Sequence, residues 1–471
     1  MNLRVIRIIS VMVLTAGCLS RVFPYEGSTG INGAAWLSYG RVQAISDTST
    51  NKFQNNWLVQ PGILASISHS FNERMMGVIG FGTVLFYPGV QTLPGVSLIY
   101  KTPVAFVSHF FLTYSVGNFA NPFLDLKLGY YPNNWNVYRS NFGNYLFTGP
   151  VYPAILYGRG GGDDFAEGRA MAFDAQLSLL DEGSFKQHLT VTSETDLPPL
   201  FDFSIIYRAS ISIKKILEIG AGVNFYRLFP FNKELTTPGK SDATGKAKAF
   251  TLEEARNQWY QGQSVNIVLG TDSIGVDTAG NAIPDTVAYL THRGIKVGGR
   301  LMFDIKRFFY ADVFGDNDLM LYGEAAIIGV KDYPLFYENI AERIPLTAGF
   351  CFPTFKLLDR LSVELEYFKS PYRHDYYFIR EKLDPCPTNL DQYYVSTPGG
   401  GSDTTFAPHE DDLKWSVDIE KMFGKPKTFL IALRIASDHL RVQTDPWAPA
   451  RYDLLTKPTD WYWQLKLMYM F

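Results

Sequence analysis

Apolar and polar residues alternate strictly along several stretches of the chain. Leu217, Ile219, Ala221, Val223 and Phe225 interleave with Glu218, Gly220, Gly222 and Asn224. Leu361, Val363, Leu365 and Tyr367 interleave with Ser362, Glu364 and Glu366. At residues 460–471, Trp461, Trp463, Leu465, Leu467, Tyr469 and Phe471 share one face, while Gln464 and Lys466 lie on the other. A period of two marks β-strands with one apolar face. The segments run about 9 to 13 residues, longer than the roughly 5 to 6 usual in globular proteins and close to the roughly 9 to 11 of a tilted membrane-crossing strand. Strands are expected near 33–46, 57–70, 74–87, 103–116, 122–131, 168–180, 184–195, 200–213, 215–228, 294–305, 319–330, 344–356, 360–369, 412–423, 427–440 and 461–471. Short turns such as 71–74, 181–186, 356–360 and 423–427 alternate with mostly longer loops at 88–102, 132–167, 229–293, 370–411 and 441–460. The expected fold is all-β, a transmembrane antiparallel up-and-down β-barrel of about 16 strands (14–18), with short periplasmic turns and long external loops. The 196–199 connection is short for an external loop, and 306–318 is long for a periplasmic turn.

Composition agrees with strands and turns. Aromatic residues make up 15% of the 471-residue chain, with 35 Phe and 28 Tyr, and there are 40 Gly. A net charge of −3 and the absence of a basic stripe give no push toward nucleic acid. Arg4 and Arg7 followed by the apolar stretch Ile8 to Ala16 read as an export signal, residues 1–20, with cleavage near 18–24. Residues 14–18, "LTAGC", loosely match a lipid-attachment box at Cys18, with Leu14 one place too far away; ordinary cleavage is the alternative. The mature chain keeps Cys351 and Cys386, which could pair outside the cytoplasm but do not make a disulfide framework.

The export signal, the long alternating strands and the terminal "YMF" resemble the outer-membrane β-barrel proteins of Gram-negative-type bacteria, porins among them. The resemblance is one of pattern over residues 21–471. It implies a single barrel in the bacterial outer membrane, in contact with outer-membrane lipid. It also implies an assembly signal at Leu467, Tyr469 and Phe471 that is recognised by the barrel-assembly machinery. A homo-oligomer is compatible with it.

If the apolar faces meet lipid, the intervening residues line the lumen. Asp125, Lys127, Asp174, Glu218, Arg300, Glu364, Glu366, Asp418, Arg434 and Lys466 are assigned there, with Arg208, Lys296, Glu324, Lys414 and Glu420. So many charges must be hydrated or paired, and a slight excess of acids hints at cation preference. Loop 132–167 is the third external loop by count, as is the constricting loop of general porins, and its "YLFTGPVYPAILY" is too apolar to sit in water. Arg139 and Arg159 opposite Asp163, Asp164 and Glu167 could form a charged eyelet; a loop packed over the barrel mouth is the alternative. "TLEEARNQWY" (251–260) carries capping-box spacing for a short helix, and 270–285 resembles a hairpin. None of the seven His lies in a nucleophile motif, and no metal, nucleotide or hydrolase pattern occurs. The sequence therefore points to a non-enzymatic channel without metal or cofactor, passing small hydrophilic solutes by passive diffusion. The alternative is a non-conducting barrel that displays loops for adhesion or surface-polymer assembly.

Overall fold

The computed structural model describes residues 27–44, 55, 57–84, 104–118, 121–147, 169–179, 184–195, 200–231, 250–251, 268–276, 282–289, 293–309, 312–330, 339–369, 412–424, 428–437 and 458–471. Nine strands come first: β1 (Thr29–Ala44), β2 (Trp57–Asn72), β3 (Met75–Val84), β4 (Val104–Asn118), β5 (Asn121–Pro132), β6 (Arg169–Leu179), β7 (Phe185–Ser193), β8 (Phe203–Ile213) and β9 (Leu217–Phe229). Three more, β10 (Phe250–Thr251), β11 (Val268–Val276) and β12 (Ala282–Tyr289), form a small separate sheet. Seven complete the chain: β13 (Gly294–Asp304), β14 (Met320–Ile328), β15 (Leu346–Cys351), β16 (Arg360–Tyr367), β17 (Leu413–Phe423), β18 (Phe429–Ala436) and β19 (Trp461–Met470). All but β10–β12 belong to one closed antiparallel sheet of sixteen strands, in which β9 pairs with β13 and β19 returns to β1.

The sequence alternation becomes an alternation of environment, with the usual polarity reversed. Along β14, Met320, Tyr322, Glu324, Ala326 and Ile328 are buried, while Leu321 is exposed. Ser38, Arg208, Lys296, Glu324, Glu364 and Asp418 are buried, whereas Leu37, Leu128, Leu189, Ile219, Leu301 and Leu365 are exposed. A chain that hides ions and exposes leucines has its polar side within. From β5 round to β17 the cross-strand register keeps the inward residues in line. Lys127 lies opposite Asp174, His188 opposite Arg208, Arg208 opposite Gly222, and Gly222 opposite Gly298. Further round, Arg300 lies opposite Glu324, Glu324 opposite Thr347, Thr347 opposite Glu366, and Glu366 opposite Lys414.

Aromatic rings gather at both ends of the outer face. Tyr39 stacks on Trp57 at 4.8 Å between centroids, Trp463 meets Trp57 edge-on at 6.0 Å, and the Arg41 guanidinium lies 5.0 Å above Trp57. At the other end Tyr469 stacks on Phe471 at 6.3 Å, and Phe423 meets Phe429 at 6.4 Å. Ten residues separate Trp461 from Phe471, so at about 3.3 Å per residue and a tilt of about 40° the apolar band is about 25 Å tall.

The strand ends differ from the sequence expectation mainly at β15, which stops at Cys351 rather than near 356. The turn 352–359 is recruited to the long turn 305–319. Asp318 accepts hydrogen bonds from Gly315 N (2.8 Å), Thr354 Oγ1 (3.0 Å) and Phe355 N (3.1 Å), and Asn317 donates to the Asp359 carbonyl. Phe314 stacks on Phe355 at 5.8 Å. Residues 315–318, "GDND", thus form a polar turn that ties two hairpins together. The hairpin read at 270–285 is present as β11–β12, with Thr271 opposite Thr286. The helix expected within 251–260 lies outside the described residues apart from its first residue, Thr251, which is in β10. Cys351 is a buried free thiol, and Cys386 lies outside the described residues.

Candidate functional site: the lumen and the segment that crosses it

Beyond β5, the chain does not turn back over the rim. Residues 133–147, "NNWNVYRSNFGNYLF", run into the barrel, and Asn136, Arg139, Ser140, Asn141, Phe142, Asn144, Tyr145 and Leu146 are all buried. The segment meets its far anchor on β16, eight strands from β5 in either direction around the sheet. There Glu364 accepts hydrogen bonds from three successive backbone N–H groups, those of Ser140, Asn141 (2.7 Å) and Phe142 (3.1 Å), and from the Tyr322 hydroxyl (2.7 Å). Successive amides converging on one carboxylate make an anion nest, and here the wall supplies the anion.

A second carboxylate repeats the device on β14. Glu324 accepts from Asn144 N (2.8 Å) and Tyr145 N (2.7 Å). Between the two anchors Gly143 has φ +91°, a left-handed conformation that suits glycine. The third carboxylate, Glu366, accepts from the Tyr145 hydroxyl at 2.7 Å, and that hydroxyl also meets Thr347 Oγ1. Burial, together with the neighbouring Glu366 charge, pushes the Tyr145 phenol well above its ordinary pKa, so it stays a donor.

Cations hold the segment's carbonyls. Arg434 Nη2 donates to Ser140 O at 3.0 Å, Lys296 Nζ to Tyr145 O at 3.3 Å, and Arg360 to Tyr138 O. Asn224 Nδ2 donates to Leu146 O at 2.6 Å. Glycines on the inner face of β9 and β13 make the seat for the apolar side chains. Leu146 Cδ1 lies 2.7 Å from where a Cβ at Gly222 would stand, and Leu146 Cγ lies 3.2 Å from one at Gly298. Trp135 is similarly close to Gly220, and its ring faces the Arg300 guanidinium at 5.5 Å.

Arg139 is the single charged side chain of the segment. It is buried, and its Nη2 donates to Asn134 Oδ1 at 2.7 Å. Burial pulls its pKa down while Glu324 and Glu364 hold it up; an arginine remains a cation there. Arg159, Asp163, Asp164 and Glu167 lie outside the described residues.

The wall residues picked from sequence, Asp125, Lys127, Asp174, Glu218, Arg300, Glu364, Glu366, Asp418, Arg434 and Lys466, all fall on the inward register. They divide in two. Glu364, Glu366 and Asp418 are covered. Asp125, Lys127, Asp174, Glu218, Arg300, Arg434 and Lys466 keep partial access to water. Lys127 lies over the rings of Phe111 (4.0 Å) and Tyr131 (3.9 Å). Asp174 is met by Thr190, Arg208 (3.4 Å) and His188 (3.6 Å); Glu218 pairs with Arg300, and Asp418 with Arg434 at 2.6 Å. Sequence reasoning passed over Trp135, Tyr145, Tyr322, Thr347 and Arg360, and the glycine seat. The seat had a readable signal: glycines at the inward positions 220, 222 and 298 of two strands that become neighbours.

No family model matches the chain, and no curated protein matches it. Among solved structures it is similar to the high-pH form of Pseudomonas putida OprB, with 8% identity, 94% of each chain covered and a TM-score of 0.48. It is also similar to Salmonella typhi OmpF in complex with daunomycin, with 9% identity over 94% of this chain and 97% of that one and a TM-score of 0.44. A mutant of Rh. blastica porin aligns at 6% identity over 94% of this chain and all of the other, with a TM-score of 0.41. None of these shares enough sequence to lend this chain a residue role.

Proposed function

We propose that the protein is a porin-like channel of the bacterial outer membrane, passing small hydrophilic solutes by passive diffusion through a lumen that segment 133–147 narrows. The observation that carries this reading is the reversed barrel. Its outer face is apolar and ringed by aromatics at both ends, and its inner face keeps charged side chains in reach of water. Sixteen strands enclose a lumen wide enough for water unless something fills it. The segment reaches the far wall yet leaves the inner faces of β5–β7 and β19 with half-exposed charges, and water must solvate those. Lipid is the natural partner of the outer face, and the barrel-assembly machinery of the Leu467, Tyr469 and Phe471 strand.

Single-channel recording of the refolded protein in a planar bilayer tests the reading. Steady ohmic conductance is expected, and neutralising Arg139 should change its size or its selectivity. Correctly folded barrels that insert without passing current would end the channel reading and leave a loop-displaying scaffold in its place.

A further inference from the structure

We infer that the outer face of the β19–β1–β2 seam, at its long-loop end, binds the headgroup of an anionic, phosphate-bearing lipid. Arg41 takes the phosphate, and Trp57, Trp463 and Tyr39 form the walls of the site. The inference rests on the outer face meeting lipid, and not on whether the passage conducts.

Register places the guanidinium on the lipid side. Arg41 lies directly opposite Trp57 on β2 and opposite Trp463 on β19. Tyr39 and Leu37, which precede it on the same face of β1, are exposed, as is Trp57. The three rings form one cluster. Tyr39 stacks on Trp57, and Trp463 meets Tyr39 edge-on at 6.2 Å and Trp57 edge-on at 6.0 Å. A charge on the lipid face of a barrel is costly at mid-depth and tolerated at the rim, where it can reach headgroups.

The guanidinium is held but only partly used. Its Nε donates to the Asn55 carbonyl at 3.0 Å, and its plane lies 5.0 Å from the Trp57 ring centroid. Among the described residues no carboxylate pairs with Arg41, and its two terminal nitrogens have no hydrogen-bond acceptor. Lys421 sets the contrast. It also lies on the outward register, near the short-turn end of β17, and there the protein supplies the partners: Asp359 at 3.8 Å and the Lys356 carbonyl. In Arg41 the bond at Nε and the contact with Trp57 fix the side chain while the terminal fork stays open. A planar fork of this kind matches two oxygens of a phosphate. A soluble anion would have to leave water to reach this register, whereas a lipid headgroup already resides at that depth. The ring cluster gives the glycerol and upper acyl carbons an apolar surface beside the charge.

Native mass spectrometry of the refolded full-length protein, released from detergent micelles doped with phosphatidylglycerol or phosphatidylcholine, tests the site. The parent is expected to keep a phosphatidylglycerol under activation that strips phosphatidylcholine. Arg41→Gln should weaken that retention several-fold. Arg41→Lys, which keeps the charge and loses the fork, should restore only part of it. Lys421→Gln removes the same charge at the other end and should leave retention unchanged. A parent that keeps both lipids equally, or an Arg41→Gln barrel that keeps phosphatidylglycerol as the parent does, overturns the inference. The second result is also what a carboxylate from the adjoining loop, such as Asp47, would produce by occupying Arg41. Equal losses in Arg41→Gln and Lys421→Gln would reduce the effect to overall charge and overturn the site. Displacement of the lipid by millimolar sodium phosphate would assign the fork to a free anion instead. A barrel that keeps neither lipid would count against the lipid-facing reading of the outer face itself, a failure distinct from the others. Migration on a denaturing gel without heating identifies the folded barrel for each variant.

Discussion

Glu364 and Glu324 act at the smallest scale as receptors for backbone amides. Each of these inward carboxylates is met by peptide N–H groups of the chain's own inserted segment. Tyr145 adds a side-chain clamp to Glu366. Removing its hydroxyl leaves a buried carboxylate short of a donor, so Tyr145→Phe should cost about 1–3 kcal/mol, seen as a lower unfolding temperature in detergent. Asp318 offers a pH-dependent counterpart outside the barrel wall. Burial opposes its charge, but hydrogen bonds from Gly315 N–H, Thr354 and Phe355 N–H hold its carboxyl below the usual range. With a folded pKa below the unfolded one, its contribution is complete above the unfolded value and is lost as pH falls through the folded value. Thermal unfolding followed from neutral to acid pH should therefore show a smaller loss in Asp318→Asn than in the parent.

The strands were legible because their signal is local and repeated. Every one of the sixteen expected segments overlaps one barrel strand, since a half-lipid, half-water environment imposes the same period on each. The ends were less legible. β15 is cut short at Cys351 because Thr354 and Phe355 serve Asp318, a partner about 36 residues away that no local pattern announces. The position of segment 133–147 in the chain was legible, but its anchors were not, and most of the apolar stretch 145–157 lies outside the described residues. A Glu on the inner face looks the same in sequence whether it meets water or an amide. Gly222 gives the element its own test. A valine there would stand where Leu146 Cδ1 now lies, 2.7 Å from its Cβ. Gly222→Val is expected to dislodge the segment and raise single-channel conductance without preventing the barrel from folding, since strand valines are well tolerated.

The whole molecule depends on one seam, where β19 meets β1. Gly33 and Phe471 exchange backbone hydrogen bonds of 2.7 and 2.9 Å, and the Phe471 ring lies across the space that a Gly33 side chain would occupy. Gly33→Val should therefore lower the fraction of chains that close, measured as loss of the compact unheated gel band. Unpaired strand edges in hydrocarbon leave several kcal/mol per backbone group unmet, so a barrel that fails here fails outright.

Closure also leaves a thin tube whose softest distortion is flattening. Segment 133–147 departs from β5 and is tied down on β16, the strand diametrically opposite. It works as a spoke inside a hoop. Squeezing by the surrounding bilayer can shorten that diameter only by compressing a packed spoke, and can lengthen it only by pulling the segment off Glu364, Arg360 and Arg434. The perpendicular diameter has no such brace among the described residues. The cross-section should thus resist deformation along one axis and yield along the other, and the aperture inherits a preferred direction of breathing.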